Sequence, residues 1–192
     1  KVNWLIKNEK DDLIESFLKQ NEKFESKSKA VQYLVDQNIS SGNIKEGCEK
    51  IKFIDGPNLN LLGKREPEIY GSETLDDIHK LVNSHIEEKK YDIETSFFQS
   101  NSEGEIVDCV QNSNQSSDGL VINAAGFSHT SVALLDALLA IEIPKIEIHL
   151  TNLFKREDFR HHSFISRGVN GVICGFGSNS YLLAVDGINK LI

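Results

Sequence analysis

From residue 51 onward, short apolar runs alternate with longer amphipathic segments, and this alternation constrains the fold more than any other feature. The apolar runs are IKFID (51–55), YDIETSFFQ (91–99), GLVIN (119–123), KIEIHL (145–150) and GVICG (171–175). Between them lie 74–90, 102–112 and 130–141, and 179–191 follows the last run. A loop and a short helix follow the fourth run. Runs of this length bounded by turn residues read as strands, and the longer segments read as helices. Strands that alternate with helices predict a parallel sheet covered on both faces. Ser102-Glu103-Gly104-Glu105 reads as a capping box that opens the second helix.

Right-handed crossovers make such a sheet doubly wound, in the flavodoxin-like manner. The fold class expected is therefore α/β, a flavodoxin-like doubly wound five-stranded parallel sheet with an N-terminal α-helical extension. Residues 1–50 form that extension and linker, and residues 51–192 the flavodoxin-like domain. The first 50 residues carry 9 Lys/Arg and 9 Asp/Glu, so the whole net charge of −8 belongs to the remainder. Apolar residues at helical spacing in 11–24 and 28–37 predict a small helical hairpin. It has too little mass to fold alone and must pack on something.

The acidic balance argues against broad binding to a nucleic-acid backbone, which needs a basic face. No apolar run approaches the roughly 18 residues of a spanning helix, so no membrane partner is expected. The start, KVNWLIKNEKDDL, does not read as a signal peptide. Three widely spaced cysteines, Cys48, Cys109 and Cys174, fit neither a disulfide framework nor a zinc pattern and suggest a reducing cytoplasm. The six histidines include no HExxH pair, so a metal site is not expected. His79 and His85 read as helix-surface residues.

In doubly wound sheets ligands bind beyond the carboxyl ends of the strands. The first strand ends in Asp55-Gly56-Pro57-Asn58-Leu59-Asn60, which is neither a P-loop nor GxGxxG. Gly63 and Gly71 then bracket a charged loop that carries Arg65 and Tyr70. It reads either as a lid or as a surface loop with an ordinary Arg–Glu pair. The third strand runs into Asn123-Ala124-Ala125-Gly126-Phe127-Ser128-His129. Small residues there admit a ligand or simply pack tightly, and the helix start offers N–H groups to an anion. On the fourth strand Glu147 and His149 share one face. A carboxylate beside an imidazole on an interior strand is a proton-donor arrangement or a mutually satisfied buried pair. The next loop brings Arg156 and Arg160, two of only four arginines, which suits a small carboxylate or hydroxylated anion. Asp136, among Leu134, Leu135, Ala137 and Leu138, is either an interface carboxylate or one polar residue on an exposed face.

Five blocks, DGPNLNLLGKREPEIYG, FQSNSEGEIVD, INAAGFSHTSVALLDAL, IPKIEIHLTNLFKREDFRHHS and GVICGFGSNSY, resemble in order the type II 3-dehydroquinate dehydratases of the shikimate pathway. The resemblance spans about residues 51–192. It implies a lyase that reversibly removes water from 3-dehydroquinate to give 3-dehydroshikimate, without metal or organic cofactor. It also implies a homo-oligomer, a dodecamer of trimers. Carried over by position, Tyr70 is the base that takes the proton beside the substrate ketone. A free Tyr is a poor base at neutral pH, and Arg65 and Arg156 are the cations that hold it as tyrosinate. Asn58 holds a water against the enolate oxygen. His149, oriented by Glu147, is the proton donor to the departing hydroxyl. Asn123, His129, Asp136, Arg160 and the backbone of Leu150-Thr151 are substrate-binding positions, Asp136 acting across a trimer interface.

The departures from the family pattern are mild. Ser102 stands where many members have His, Ala124-Ala125-Gly126 replaces Pro-Gly-Ala, Phe154 replaces a frequent His, and Thr151 a Ser. Residues 1–50 have no counterpart in the usual short member. Two other readings remain open at this point: a non-enzymatic binding or scaffold module, and an enzyme for a related cyclic acid such as quinate.

Overall fold

The computed structural model describes residues 48–64 and 72–192. The helical hairpin expected before residue 48, and both Arg65 and Tyr70, lie outside the described residues.

Five strands alternate with helices. In chain order they are β1 (Glu49–Asp55), α1 (Leu75–Lys89), β2 (Ile93–Gln99), α2 (Glu103–Ser116), β3 (Gly119–Asn123), α3 (Val132–Ala140), β4 (Lys145–His149), β5 (Gly171–Cys174) and α4 (Asn179–Ile188). β1 begins at Glu49, two residues inside the expected extension, because Glu49 and Lys50 already pair with Ile93 and Glu94 of β2. The segment from Glu49 to Ile192 forms one unit. Where a short helix was expected after β4, three one-turn 3₁₀ segments stand instead, at Leu153–Lys155, Asp158–Arg160 and Ile165–Gly168. Among the described residues no helix is long and apolar enough to cross a membrane.

All strand pairs are parallel, in the spatial order β2-β1-β3-β4-β5. This is the flavodoxin-like order, and its reversal point lies between β1 and β3. Side-chain alternation divides the core into two layers. Ile51, Phe53, Val121, Ile146 and Ile148 pack with α1 and α4 on one face. Ile54, Leu120 and Ile122 pack with α2 and α3 on the other. β3 and β4 are buried along their whole length, as central parallel strands must be.

The caps follow local chemistry. A complete capping box stands at α1, where Thr74 accepts from the Asp77 N–H and Asp77 accepts from the Thr74 N–H. The box expected at α2 is only half formed. Ser102 Oγ accepts from Glu105 N–H, but the Glu105 carboxylate is taken by the Ser100 hydroxyl, and Ser102 N–H turns to Ser100 Oγ. A hydroxyl at the end of β2 competes successfully with the cap.

At the reversal point the segments after β1 and β3 press together. Gly56 N–H donates to the Asn123 carbonyl at 2.8 Å. A Cβ on Gly56 would lie 2.5 Å from the Ala124 carbonyl oxygen, so only glycine fits. Two non-glycine residues adopt positive φ in these segments: Asn58 at 68° and Ala125 at 50°. Asn tolerates this region through its short polar side chain, whereas Ala bears the Cβ–carbonyl clash in full.

Candidate active site

A cleft opens at the carboxyl ends of β1, β3 and β4. Pro57, Asn58, Leu59 and Leu62 line it from the β1 side. Asn123, Ala125, Gly126 and His129 line it after β3, and His149, Leu150, Thr151, Leu153, Arg156 and Arg160 after β4. Nine of the twelve positions proposed from the sequence are thus brought together or paired with a cleft residue: Asn58, Asn123, His129, Glu147, His149, Leu150, Thr151, Arg156 and Arg160. Arg65 and Tyr70 lie outside the described residues. Asp136 does not line the cleft; it lies on the exposed face of α3, between the exposed Val132 and Leu139.

Beside the cleft lies the β4 pair. Glu147 is fully buried, and its Oε1 lies 2.7 Å from His149 Nε2. The same carboxylate accepts from Ser163 Oγ at 2.8 Å and from Ser166 Oγ at 2.5 Å. Burial alone pushes the Glu147 carboxyl up, but the His149 bond and charge and the two serine hydroxyls outweigh it and hold it below its ordinary value. An ionised carboxylate only accepts. His149 must therefore present Nε2–H to Glu147, which leaves Nδ1 as the nitrogen available to the cleft.

The His129 ring lies nearly parallel to the His149 ring, with centroids 6.2 Å apart. Its Nδ1 faces the His162 carbonyl at 2.8 Å. A carbonyl only accepts, so Nδ1 carries the proton there. Burial depresses the His129 pKa; the His162 carbonyl and the Glu147 charge oppose this, and the electrostatic effects of His149 and Arg160 add to it. The net lowering favours the neutral ring, whose Nε2 is an acceptor suited to a hydroxyl. Arg156 and Arg160 both contact Glu157, at 3.3 and 2.9 Å, and Arg156 also reaches Thr151 Oγ1 at 3.5 Å. Asn58 N–H is fixed by Asn101 Oδ1 at 2.8 Å.

Sequence reasoning missed four residues. Ser163 and Ser166 complete the Glu147 shell from a turn 16 and 19 residues further on. Asp55 and Tyr181 form a buried bond of 2.5 Å behind Asn123, across 126 residues of chain. The histidines of α1 are also corrected. His79 and His85 are not free surface residues; they contact Asp55 at 3.1 Å and Asp186 at 2.9 Å with most of each ring covered. Helical periodicity located their turn but not the carboxylates that face it.

Comparison with known proteins decides the family. Residues 49–189 match the family model described as dehydroquinase class II. The chain belongs to the class II dehydroquinase family. A 3-dehydroquinate dehydratase of Prochlorococcus marinus is 56% identical over 136 residues, covering 71% of this chain and 92% of the relative. One from Bartonella tribocorum is 51% identical over 140 residues, covering 73% and 93%. The crystal structure of type II dehydroquinase from Butyrivibrio crossotus superimposes with a TM-score of 0.71 at 42% identity, over 74% of this chain and 98% of that one. The dehydroquinase fold and family were thus both legible in the five sequence blocks. The stretch before residue 49 lies outside the family match.

Proposed function

We propose that this chain is a 3-dehydroquinate dehydratase that converts 3-dehydroquinate to 3-dehydroshikimate and water through an enolate. The observation that carries the reading is the buried Glu147–His149 pair at the reversal-point cleft, beside neutral His129 and two arginines, in a chain of this family. Tyr70, held as tyrosinate by Arg65 and Arg156, removes the proton beside the ketone. The electron pair moves into the carbonyl, and a water held by Asn58 donates to the developing oxyanion. The enolate collapses and expels the β-hydroxyl, which leaves as water on taking a proton from His149. Glu147 stabilises the imidazolium and fixes its orientation. Asn123, His129, Arg160 and the Leu150-Thr151 backbone hold the ring hydroxyls and the carboxylate, which gives the local anion affinity that a chain of charge −8 lacks in bulk.

The proposal extends to assembly and setting. Val132 and Leu139 are 52% and 60% exposed on the face of α3 that carries Asp136. An apolar face of this kind supports a trimer-based dodecamer in which Asp136 reaches a neighbouring cleft. The setting proposed is the cytoplasm. Residues 1–48 are proposed to be dispensable for the chemistry.

Mixing the purified chain with 3-dehydroquinate and following the ultraviolet absorbance of the conjugated product tests the reaction. A rise is expected, and it falls to near background in Tyr70→Phe while substrate still binds. A correctly folded chain that gives no rise overturns the assignment.

A further inference from the structure

We propose that Tyr181 is a positioning residue for substrate recognition, locking the side-chain amide of Asn123 so that its carbonyl oxygen faces the cleft. The inference rests on the reading of Asn123 as a substrate-binding residue. Asp55 and Asn123 are register partners at the ends of β1 and β3. Their side chains project to the same face, where α4 presents Tyr181. Tyr181 O–H donates to Asp55 Oδ1 at 2.5 Å, and Asn123 Nδ2 lies 3.0 Å from the same phenol oxygen. The other carboxyl oxygen of Asp55 faces His79 Nε2 at 3.1 Å, and the His79 ring is stacked on Phe97. Asp55, Asn123 and Tyr181 are all buried.

Donor counting fixes the amide. A phenol has one hydrogen, and the carboxyl oxygen takes it. What remains on the Tyr181 oxygen is acceptor capacity, so Asn123 must turn its NH₂ toward it. Among the described residues no group pairs with Asn123 Oδ1, and Asn123 lines the cleft. That oxygen is therefore set as an acceptor for a donor on the ligand, such as a ring hydroxyl. Without the phenol group, nothing at this point distinguishes the amide from its flipped form, which would aim NH₂ at the hydroxyl. Burial of the phenol and the adjacent Asp55 carboxylate raise the Tyr181 pKa well above its ordinary value, so it remains a neutral donor throughout the working range.

The test is steady-state kinetics of the full chain with 3-dehydroquinate, comparing Tyr181→Phe, Asn123→Ala and the double variant, with near-ultraviolet circular dichroism to check packing. Tyr181→Phe is expected to raise KM about five- to tenfold, the worth of one oriented hydrogen bond, and to leave kcat within about twofold. The double variant is expected to match Asn123→Ala alone. A folded Tyr181→Phe protein with unchanged KM overturns the proposal, as does additivity of the two substitutions. An Asn123→Ala protein with unchanged KM removes Asn123 from binding and overturns it too, whereas failure of the wild-type chain to form product overturns the reaction itself. If Tyr181→Phe does not fold, nitrogen-resolved nuclear magnetic resonance of the wild-type chain decides. The Asn123 side-chain NH₂, assigned by its loss in Asn123→Ala, is expected to show one slowly exchanging proton. Two fast-exchanging protons overturn the proposal.

Discussion

Replacing Glu147 with Gln removes a charge while preserving shape, and the geometry of its shell sets the size of the effect. The carboxylate receives three donors: His149 Nε2–H at 2.7 Å, Ser163 at 2.8 Å and Ser166 at 2.5 Å. A glutamine supplies one acceptor oxygen and one NH₂ in the same space. With its oxygen toward His149 and Ser163, only Ser166 must rotate to accept. Hydrogen bonds to a charged group are worth about 1.5–3 kcal/mol and neutral ones about 1 kcal/mol. The protonated ring that donates the proton therefore loses about 1–2 kcal/mol of support relative to the neutral ring, so the donor-competent fraction, and kcat with it, falls by up to about five- to thirtyfold. Folding responds differently. A fully buried carboxylate carries a desolvation cost that the amide lacks, and this offsets the weaker bonds. The expected signature is a rate that falls while the stability read from the urea midpoint at pH 7 stays within about 1 kcal/mol of wild type. Initial rates of product absorbance and a paired urea titration measure both. A kcat within threefold of wild type, in a folded variant, would refute the reasoning. So would a stability loss as large as the loss in activation free energy, since Glu147 would then be a structural residue only.

Further outcomes follow from other residues. Ala125 sits at φ 50°, in the region where glycine is unstrained. Ala125→Gly is therefore expected to stabilise the fold by about 1 kcal/mol net of the unfolded-state cost and to raise Tm by about 2–4 °C; a lower Tm would show that the Ala methyl contributes packing larger than its strain. Acid stability has a definite sign. Glu147 is held below its ordinary value of 4.5, and His129 below its ordinary 6.5. Both contributions are complete above those values and are lost as pH falls through the lower folded values. Urea midpoints are therefore expected to decline first below pH 6.5 and more steeply below pH 4.5; a flat profile between those two values would contradict the His129 assignment, and a flat profile below pH 4.5 the Glu147 assignment. Ser166→Ala removes one donor from Glu147, brings its folded value nearer to 4.5 and is expected to make the limb below pH 4.5 shallower. Deleting residues 1–48 is expected to leave kcat unchanged in the absorbance assay, and a loss of turnover would show that the segment is not dispensable.

The order of strands and helices was legible because apolar period and turn residues are local properties, and the family blocks carried the strand order with them. Glu147 and His149 were legible for a different reason: two polar groups on one face of an otherwise apolar interior strand are too costly to be incidental. What sequence reasoning could not supply was convergence between distant segments. Ser163 and Ser166 look like loop serines until the turn at Ile165–Gly168 folds back onto β4. His79 looks like a helix-surface residue until β1 places Asp55 against it. The half-formed box at α2 failed for a local reason, since Ser100, two residues before the cap, takes the Glu105 carboxylate. From the residues alone Asp136 was legible only as an anomaly, and as a binding position only through the family resemblance; the structure places it on the exposed face of α3, away from the cleft.

The chain's acidity also gains a meaning at the reversal point. Two of its carboxyl groups, Asp55 and Glu147, are completely buried there, and strand alternation sends them to opposite faces of the sheet. Neither lines the cleft. Each instead contacts a group whose neighbour or own ring does: Glu147 holds the His149 ring directly, and Asp55 holds Asn123 through the Tyr181 phenol. A buried carboxyl group accepts several donors with fixed geometry, so it sets a tautomer on one side and an amide orientation on the other. Negative charge is thereby kept out of contact with an anionic ligand while still determining which atoms the ligand meets. On this argument the two faces act independently. Substitution at Glu147 is expected to lower kcat and substitution at Tyr181 to raise KM. The double variant Glu147→Gln/Tyr181→Phe is then expected to show the two changes multiplied, and strong coupling between them would mean that the faces communicate through the sheet.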